Sequence, residues 1–272
     1  GCIVCLLASI VSLLLLTIGF ATNQPLYREV YKAWMPSPVG GYFEAGFFVD
    51  GVSYLMSMAT LILFALSMIY SEAYIGRSKP SYYAIMLMLL TGLLGVFLSS
   101  NLILFYIFWE FMLLPSYFII GEWGYRDPKK VAFKFFIFTH AGALVTLVGI
   151  AIAYATLLGN LDIFQMAQAA AVSEEWKNIW VLPFTLVVIG FIVKLGAFPF
   201  YTWLPDAHGE APAPMSALLS GIIIETGAYA IYRIGIQTFV VPVMGLENVP
   251  TVLQWLAILG ITSAIYGGFL AL

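Results

Sequence analysis

The chain has 272 residues, of which 62% are hydrophobic and 9% charged, with a formal net charge of −3 and a mean hydropathy of +0.99. Soluble domains carry about 25% charged residues, so this composition places the chain in the membrane class. The small negative charge excludes a strongly basic nucleic-acid surface, and no nucleic-acid-binding motif is present. At about 20 residues per span plus connections, the length suits an all-α polytopic membrane protein of about eight transmembrane helices.

Apolar runs and polar breaks place those eight helices in order. The first covers about 2–21. It resembles a signal-peptide core but lacks a basic leading segment and a small-residue cleavage site, so it reads as a membrane helix. Cys2 and Cys5 within it have no further ligands beside them and read as small packed residues, not as redox or metal groups. Asn23-Gln24-Pro25 ends this helix, and a loop with Pro36, Pro38 and Gly40-Gly41 leads to helix two, about 47–70. Helix three, about 82–98, reverses at Ser99-Ser100-Asn101 into helix four, about 102–120. Helices five to eight follow at about 130–158, 180–201, 214–234 and 252–272. A start on Gly and an end on the apolar GGFLAL suit a processed or truncated piece.

Lys and Arg in short loops set orientation. Arg77, Lys79, Arg126, Lys129 and Lys130 follow helices two and four; Arg28, Lys32, Lys177 and, at a helix edge, Arg233 follow helices one, five and seven. The narrow excess puts the N-terminus on the cytoplasmic side. Trp123, Tyr125, Trp176, Trp180 and Trp203 fall near span ends, as interfacial aromatic belts do. Pro115, just past Glu110, is expected to loosen helix four. Pro199 and Pro205 bracket FYTWL after Lys194, which fits either a helix broken at membrane depth or a plain end followed by loop.

Three ionisable residues interrupt the oily stretches: Glu110 in 101–120, Lys194 in 180–200 and Glu225 in 215–233. Each costs roughly 2.5–3.5 kcal/mol at mid-membrane depth on insertion scales, so such groups usually pair inside a bundle and serve transport. Lys194 could act as a proton switch, holding its proton while a carboxylate is near and releasing it when that partner moves away. A static Lys–Glu bridge is the plainer reading. Glu110 is the natural partner, or else a neutral acid bonded to a neighbouring helix. Lys134 could belong to the ion path or snorkel, and His140 could join the path or bond in helix packing. Asp206, His208 and Glu210 suggest metal ligands at first sight, but a hydrated loop is the better expectation. No nucleophile elbow, phosphate-binding glycine loop or cysteine cluster is present, and no metal or cofactor is expected.

The stretch KLGAFPFYTWLPDAHGEAPAPMSALLSG (194–221) resembles the signature of the antiporter-like membrane subunits of respiratory complex I, a family shared with Mrp-type Na+/H+ antiporters and membrane-bound hydrogenases. FYIFWEFMLLPSYFII (105–120), KFFIFTHAGAL (134–144) and FFVDGVSYLM (47–56) extend the resemblance over nearly the whole chain. It implies two inverted five-helix repeats, each with a broken helix. Glu110 then matches the essential glutamate, Lys194 the lysine of the first broken helix, Lys134 the lysine before it, and His208 a histidine of the polar path. It implies a subunit without a redox cofactor, seated in an energy-transducing membrane among other membrane subunits of a redox-driven complex.

Family members usually have about fourteen helices, and this chain resembles the second through ninth. The expected organisation is N-terminal helices over 1–100, an antiporter-like five-helix half-channel over 101–234, and the start of a second repeat over 235–272. Glu225 stands where the family pattern carries lysine, which suits Na+ preference, an added proton carrier or a subunit that no longer pumps. The expected function is proton or Na+ translocation through a buried Glu–Lys pair, with a non-conducting structural subunit or an Mrp-type Na+/H+ antiporter component as alternatives.

Overall fold

A computed structural model describes residues 1–22, 26–36, 42–76, 79–157, 161–247 and 249–270. The expected breaks at Asn23-Gln24-Pro25, Pro38 and Gly40-Gly41, and the loop cation Arg77, lie outside the described residues, as does the Lys32 side chain. Helix α1 (Cys2–Thr22) is followed by strands β1 (Tyr27–Pro36) and β2 (Tyr42–Val49). They pair antiparallel, Tyr27 opposite Val49 and Pro36 opposite Tyr42, with an irregularity between Tyr31 and Met35. Extended structure thus stands where a loop and the first residues of helix two were expected. Aromatic and β-branched residues favour a pleated, half-buried surface, and Phe47, Phe48 and Val49 follow that preference.

Helix α2 (Gly51–Tyr74) starts one residue later, at a capping box: Ser53 N–H donates to the Asp50 carboxylate at 2.9 Å and Asp50 N–H to Ser53 Oγ at 2.8 Å. Helices α3 (Lys79–Leu98), α4 (Leu102–Trp123) and α5 (Pro128–Thr156) follow. Two short helices, α6 (Ile163–Val172) and α7 (Glu174–Ile179), lead into α8 (Val181–Leu195), α9 (Leu204–Glu210), α10 (Ala213–Met244) and α11 (Val249–Leu270). Among the described residues, α1 to α5, α10 and α11 are seven helices long and apolar enough to cross a membrane. The shorter apolar α8 occupies the sixth expected span.

Helix α4 keeps its course through the buried Pro115, which lacks the N–H of a regular turn, and Ser116 Oγ donates to Met112 O at 2.8 Å beside it. One expectation needs correction. Arg233 is not a helix-edge cation: α10 continues to Met244, and Arg233 is buried inside it, so it leaves the loop count used for orientation.

Small residues set the spacing of the bundle. A Cβ on Gly92 would lie 2.9 Å from Met112 Cα, so α3 and α4 meet backbone to backbone. A Cβ on Gly142 would lie 2.8 Å from Val193 Cβ, and one on Gly149 2.9 Å from Pro183 O, which presses α5 onto α8. Close approach through glycine is the usual way membrane helices gain packing without a hydrophobic driving force. Gly142→Leu is expected to push α5 off α8 and destabilise the fold by about 1–3 kcal/mol. Thermal unfolding in detergent, read against wild type, checks this.

Candidate functional site

Lys194 occupies the last turn of α8, where the chain breaks. Gly196 closes the helix at φ +67°, with Ala197 N–H donating to Ile192 O and Gly196 N–H to Val193 O, each at 3.2 Å. This bond pair is a Schellman end, and glycine takes the left-handed residue without a Cβ penalty. A 3₁₀ turn (Tyr201–Trp203) and α9 then return the chain toward α10. Trp203 Nε1–H donates to the same Val193 O at 2.9 Å, a side-chain bond that ties the segment after the break to the end of α8. The segment is therefore a broken helix, not a plain helix end.

The Lys194 side chain is fully buried, only 2% exposed, and donates no hydrogen bond among the described residues. Its ammonium lies 5.4 Å from the Phe135 ring centre and 5.9 Å from that of Trp109. Aromatic faces attract a cation by about 2 kcal/mol when desolvated. The C-terminal end of α8 adds the negative pole of a helix dipole. Glu110, next to Trp109 on α4, acts on Lys194 electrostatically without touching it.

Glu110 makes its direct contact with His140 instead: His140 Nδ1 is 2.8 Å from Glu110 Oε2. Phe136 stacks on the imidazole, ring centres 5.3 Å apart and 13° from parallel. The other carboxylate oxygen, Glu110 Oε1, is buried without a hydrogen-bond partner among the described residues. The acid thus has one oxygen engaged and one free in a dry setting.

The remaining expected residues divide into separate groups. Lys134 pairs with Asp206 at 2.7 Å and donates to Thr202 O at 2.8 Å, tying α5 to the segment after the break. His208 Nδ1 lies 2.9 Å from Ser216 Oγ, between α9 and α10. Glu225 joins none of these. It is exposed and opens on a groove of about 790 Å³ between the broken helix, α10 and α11, lined also by Ala197, Ala228, Tyr232 and Ser263. Asp206, His208 and Glu210 lie on helix α9, not in a loop. Glu210 is buried and accepts from Arg126 N–H at 2.7 Å. No group of three potential metal ligands occurs among the described residues.

Sequence reasoning missed the His140 contact, the aromatic cradle and a second buried ion pair. Arg233 of α10 grips Asp50 with both Asp50 oxygens 2.8 Å from its Nη2. Burial pushes the Asp50 carboxyl up, but the Ser53 N–H and the Arg233 guanidinium hold it below the usual carboxylate range. The available signal was Asp50 heading an apolar helix and Arg233 lying in the middle of the IYRIGIQTFVV run.

A broken helix carrying a buried lysine, beside a helix carrying a half-buried acid, is the arrangement of an antiporter-like membrane subunit. Residues 99–272 match the family described as NADH:quinone oxidoreductase/Mrp antiporter, transmembrane. The chain belongs to that family. It is 35% identical over 250 residues to NAD(P)H-quinone oxidoreductase chain 4 1 of a Nostoc species, covering 91% of this chain and 44% of that one. It is 32% identical over 244 residues to F420H2 dehydrogenase subunit M of Methanosarcina mazei, covering 88% of this chain and 48% of that one. The chain spans less than half the length of these two relatives. A chain of respiratory complex I from Thermus thermophilus shares the fold at a TM-score of 0.80 and 23% identity, over 100% of this chain and 55% of that one.

Trp203→Phe keeps an aromatic ring but loses the indole bond to the Val193 carbonyl, which retains its Gly196 N–H, at a cost of about 0.5–1.5 kcal/mol. Comparison of unfolding midpoints for wild type and variant measures it.

Proposed function

We propose that this chain is an ion-translocating half-channel of a multisubunit, redox-driven membrane pump, with residues 101–234 forming the path and 1–100 and 235–272 flanking it. The observation that carries the reading is the placement of Glu110 between two possible partners. It is bonded to His140, while Lys194 is buried nearby with no bonded counter-ion.

A buried ammonium without a paired anion is costly, whereas a carboxylate at contact distance stabilises it. With Glu110 on His140, the proton on Lys194 Nζ is held weakly and can leave along the path. With Glu110 swung toward Lys194, the ammonium is stabilised and a proton is recaptured. His140 therefore competes with Lys194 for the same carboxylate. Lys134 with Asp206, and His208 with Ser216, supply titratable stations beyond the break. In this reading the partners are other membrane subunits of a complex I-like or hydrogenase-like assembly in an energy-transducing membrane, and electrons pass elsewhere in it. The travelling ion is a proton. Glu225, a carboxylate open to a groove, is the feature that favours a Na+-carrying version.

Lys194→Ala is expected to abolish ion translocation in membrane vesicles while electron transfer and assembly persist. Glu110→Gln is expected to behave alike. Undiminished pumping in the lysine variant would reject the proposal, and collapse of assembly in Glu110→Gln would favour a structural subunit. Transport that requires Na+ in a proton-clamped assay would assign the ion to the sodium version.

A further inference from the structure

We propose that the Asp50–Arg233 ion pair is a latch that fixes the rotational setting of the Glu225–Ala230 segment of α10. This goes beyond the Glu110–Lys194 reading and does not depend on it. The observation behind it is the make-up of α10. Its six-residue α-helical stretch Glu225–Ala230 lies between two stretches with wider π-type turns, Leu219–Ile223 and Ile231–Val240. Ile224 N–H donates five residues back to Leu219 O at 3.2 Å, and Thr238 Oγ1 donates to Arg233 O at 3.0 Å across the same interval.

A π turn holds one residue more than an α turn. Moving that extra residue from one flank to the other keeps the number of backbone bonds nearly constant. The stretch between the flanks then turns by one residue, about 100°. The backbone of α10 therefore leaves the setting of this stretch open, and side chains must choose it.

Three contacts choose it here. Tyr229 Oη donates to Phe97 O at 2.8 Å. Gly227 sits on the α8 backbone, where a Cβ would come within 2.8 Å of Phe191 O. Arg233 locks the following π stretch to Asp50, at the junction of β2 and α2. Arg233 is 6% exposed and packs over the Phe48, Tyr229 and Tyr232 rings at 5.0, 5.6 and 5.9 Å. Among the described residues, the Asp50 contact is the ion pair that ties α10 to the end of the hairpin. Removing one partner of a buried pair leaves the other uncompensated, which is a strong drive to move.

The latched setting puts Glu225 and Ala228 toward the groove and buries Thr226, Gly227, Tyr229 and Ala230. A one-residue turn in either direction places position 228 in the buried setting of Gly227 or of Tyr229. It also moves Glu225 out of its present setting, into that of Ile224 on the lining of the same groove or that of the buried Thr226. The latch thus controls how the carboxylate of Glu225 meets the groove.

The test uses the whole protein in detergent with Cys2 and Cys5 replaced by Ala, and a single reporter, Ala228→Cys, labelled by a small maleimide. Adding Asp50→Asn, which keeps an N-cap oxygen for α2, is expected to slow labelling about tenfold as the turned setting becomes the major one. Ile258→Cys on the exposed side of α11 serves as control and is expected to label at an unchanged rate. Loss of folding raises thiol reactivity, so it moves the reporter in the opposite direction. If Asp50→Asn is not recovered in membranes, Arg233→Lys, which keeps charge but loses the two-oxygen grip, is expected to slow the reporter by a smaller factor. Equal or faster labelling at position 228 in the variants, or matching changes at position 258, would overturn the latch.

Discussion

The structure turns on an ammonium group held dry at the end of an interrupted helix. Burying Lys194 is unfavourable, and nothing in the α8 sequence requires it there. What makes it tolerable is a set of weak, directional attractions: two aromatic faces, a helix C-terminus and the field of a carboxylate one helix away. None is a hydrogen bond. Each favours the charged form without gripping the proton, which is what the proposed switch requires. A tight Lys–Glu bridge would hold the ammonium more firmly and suit that proposal less well.

The break that positions Lys194 has its own requirements. Gly196 in the left-handed region allows the turn, and Trp203 ties the segment after it back to the Val193 carbonyl. Lys134 and Asp206 then fasten the far side of the break to α5. Irregular backbone at membrane depth persists only where its polar groups are satisfied by protein. The indole of Trp203 is therefore part of what holds the break in place, although it carries no charge.

Much of this was readable from the chain. Helix existence followed from apolar run length, and the importance of Glu110 and Lys194 from the cost of a charge in hydrocarbon. The β1–β2 hairpin was not legible because Phe47, Phe48 and Val49 continue the apolar run of α2, and hydropathy does not separate a strand from a helix start. Arg233 looked like an end marker because cations usually flank spans; only its partner Asp50, far away in sequence, explains its burial. Glu110 was assigned to Lys194 by charge alone, yet a neutral or charged imidazole can compete for a carboxylate, and His140 on α5 lies within hydrogen-bond distance of it. Glu225 seemed central from its position in an apolar run, but helix rotation decides which side a residue faces, and the π stretches of α10 shift that rotation.

The tight α3–α4 contact has a consequence for timing. Asn101 caps α4 at Ile103 and Leu104, Leu102 N–H donates to Leu161 O at 2.8 Å, and Gly92 admits the α4 backbone directly. Glu110 is thereby mounted on a wall that cannot slide, and α5 is pressed equally hard onto α8. In the proposed switch, exchange of the acid between its neighbours is left to a few single-bond rotations, which run in picoseconds to nanoseconds where side chains are free. Any slower step of that switch must then come from outside these four helices: from water entering, or from a neighbour in the membrane pushing.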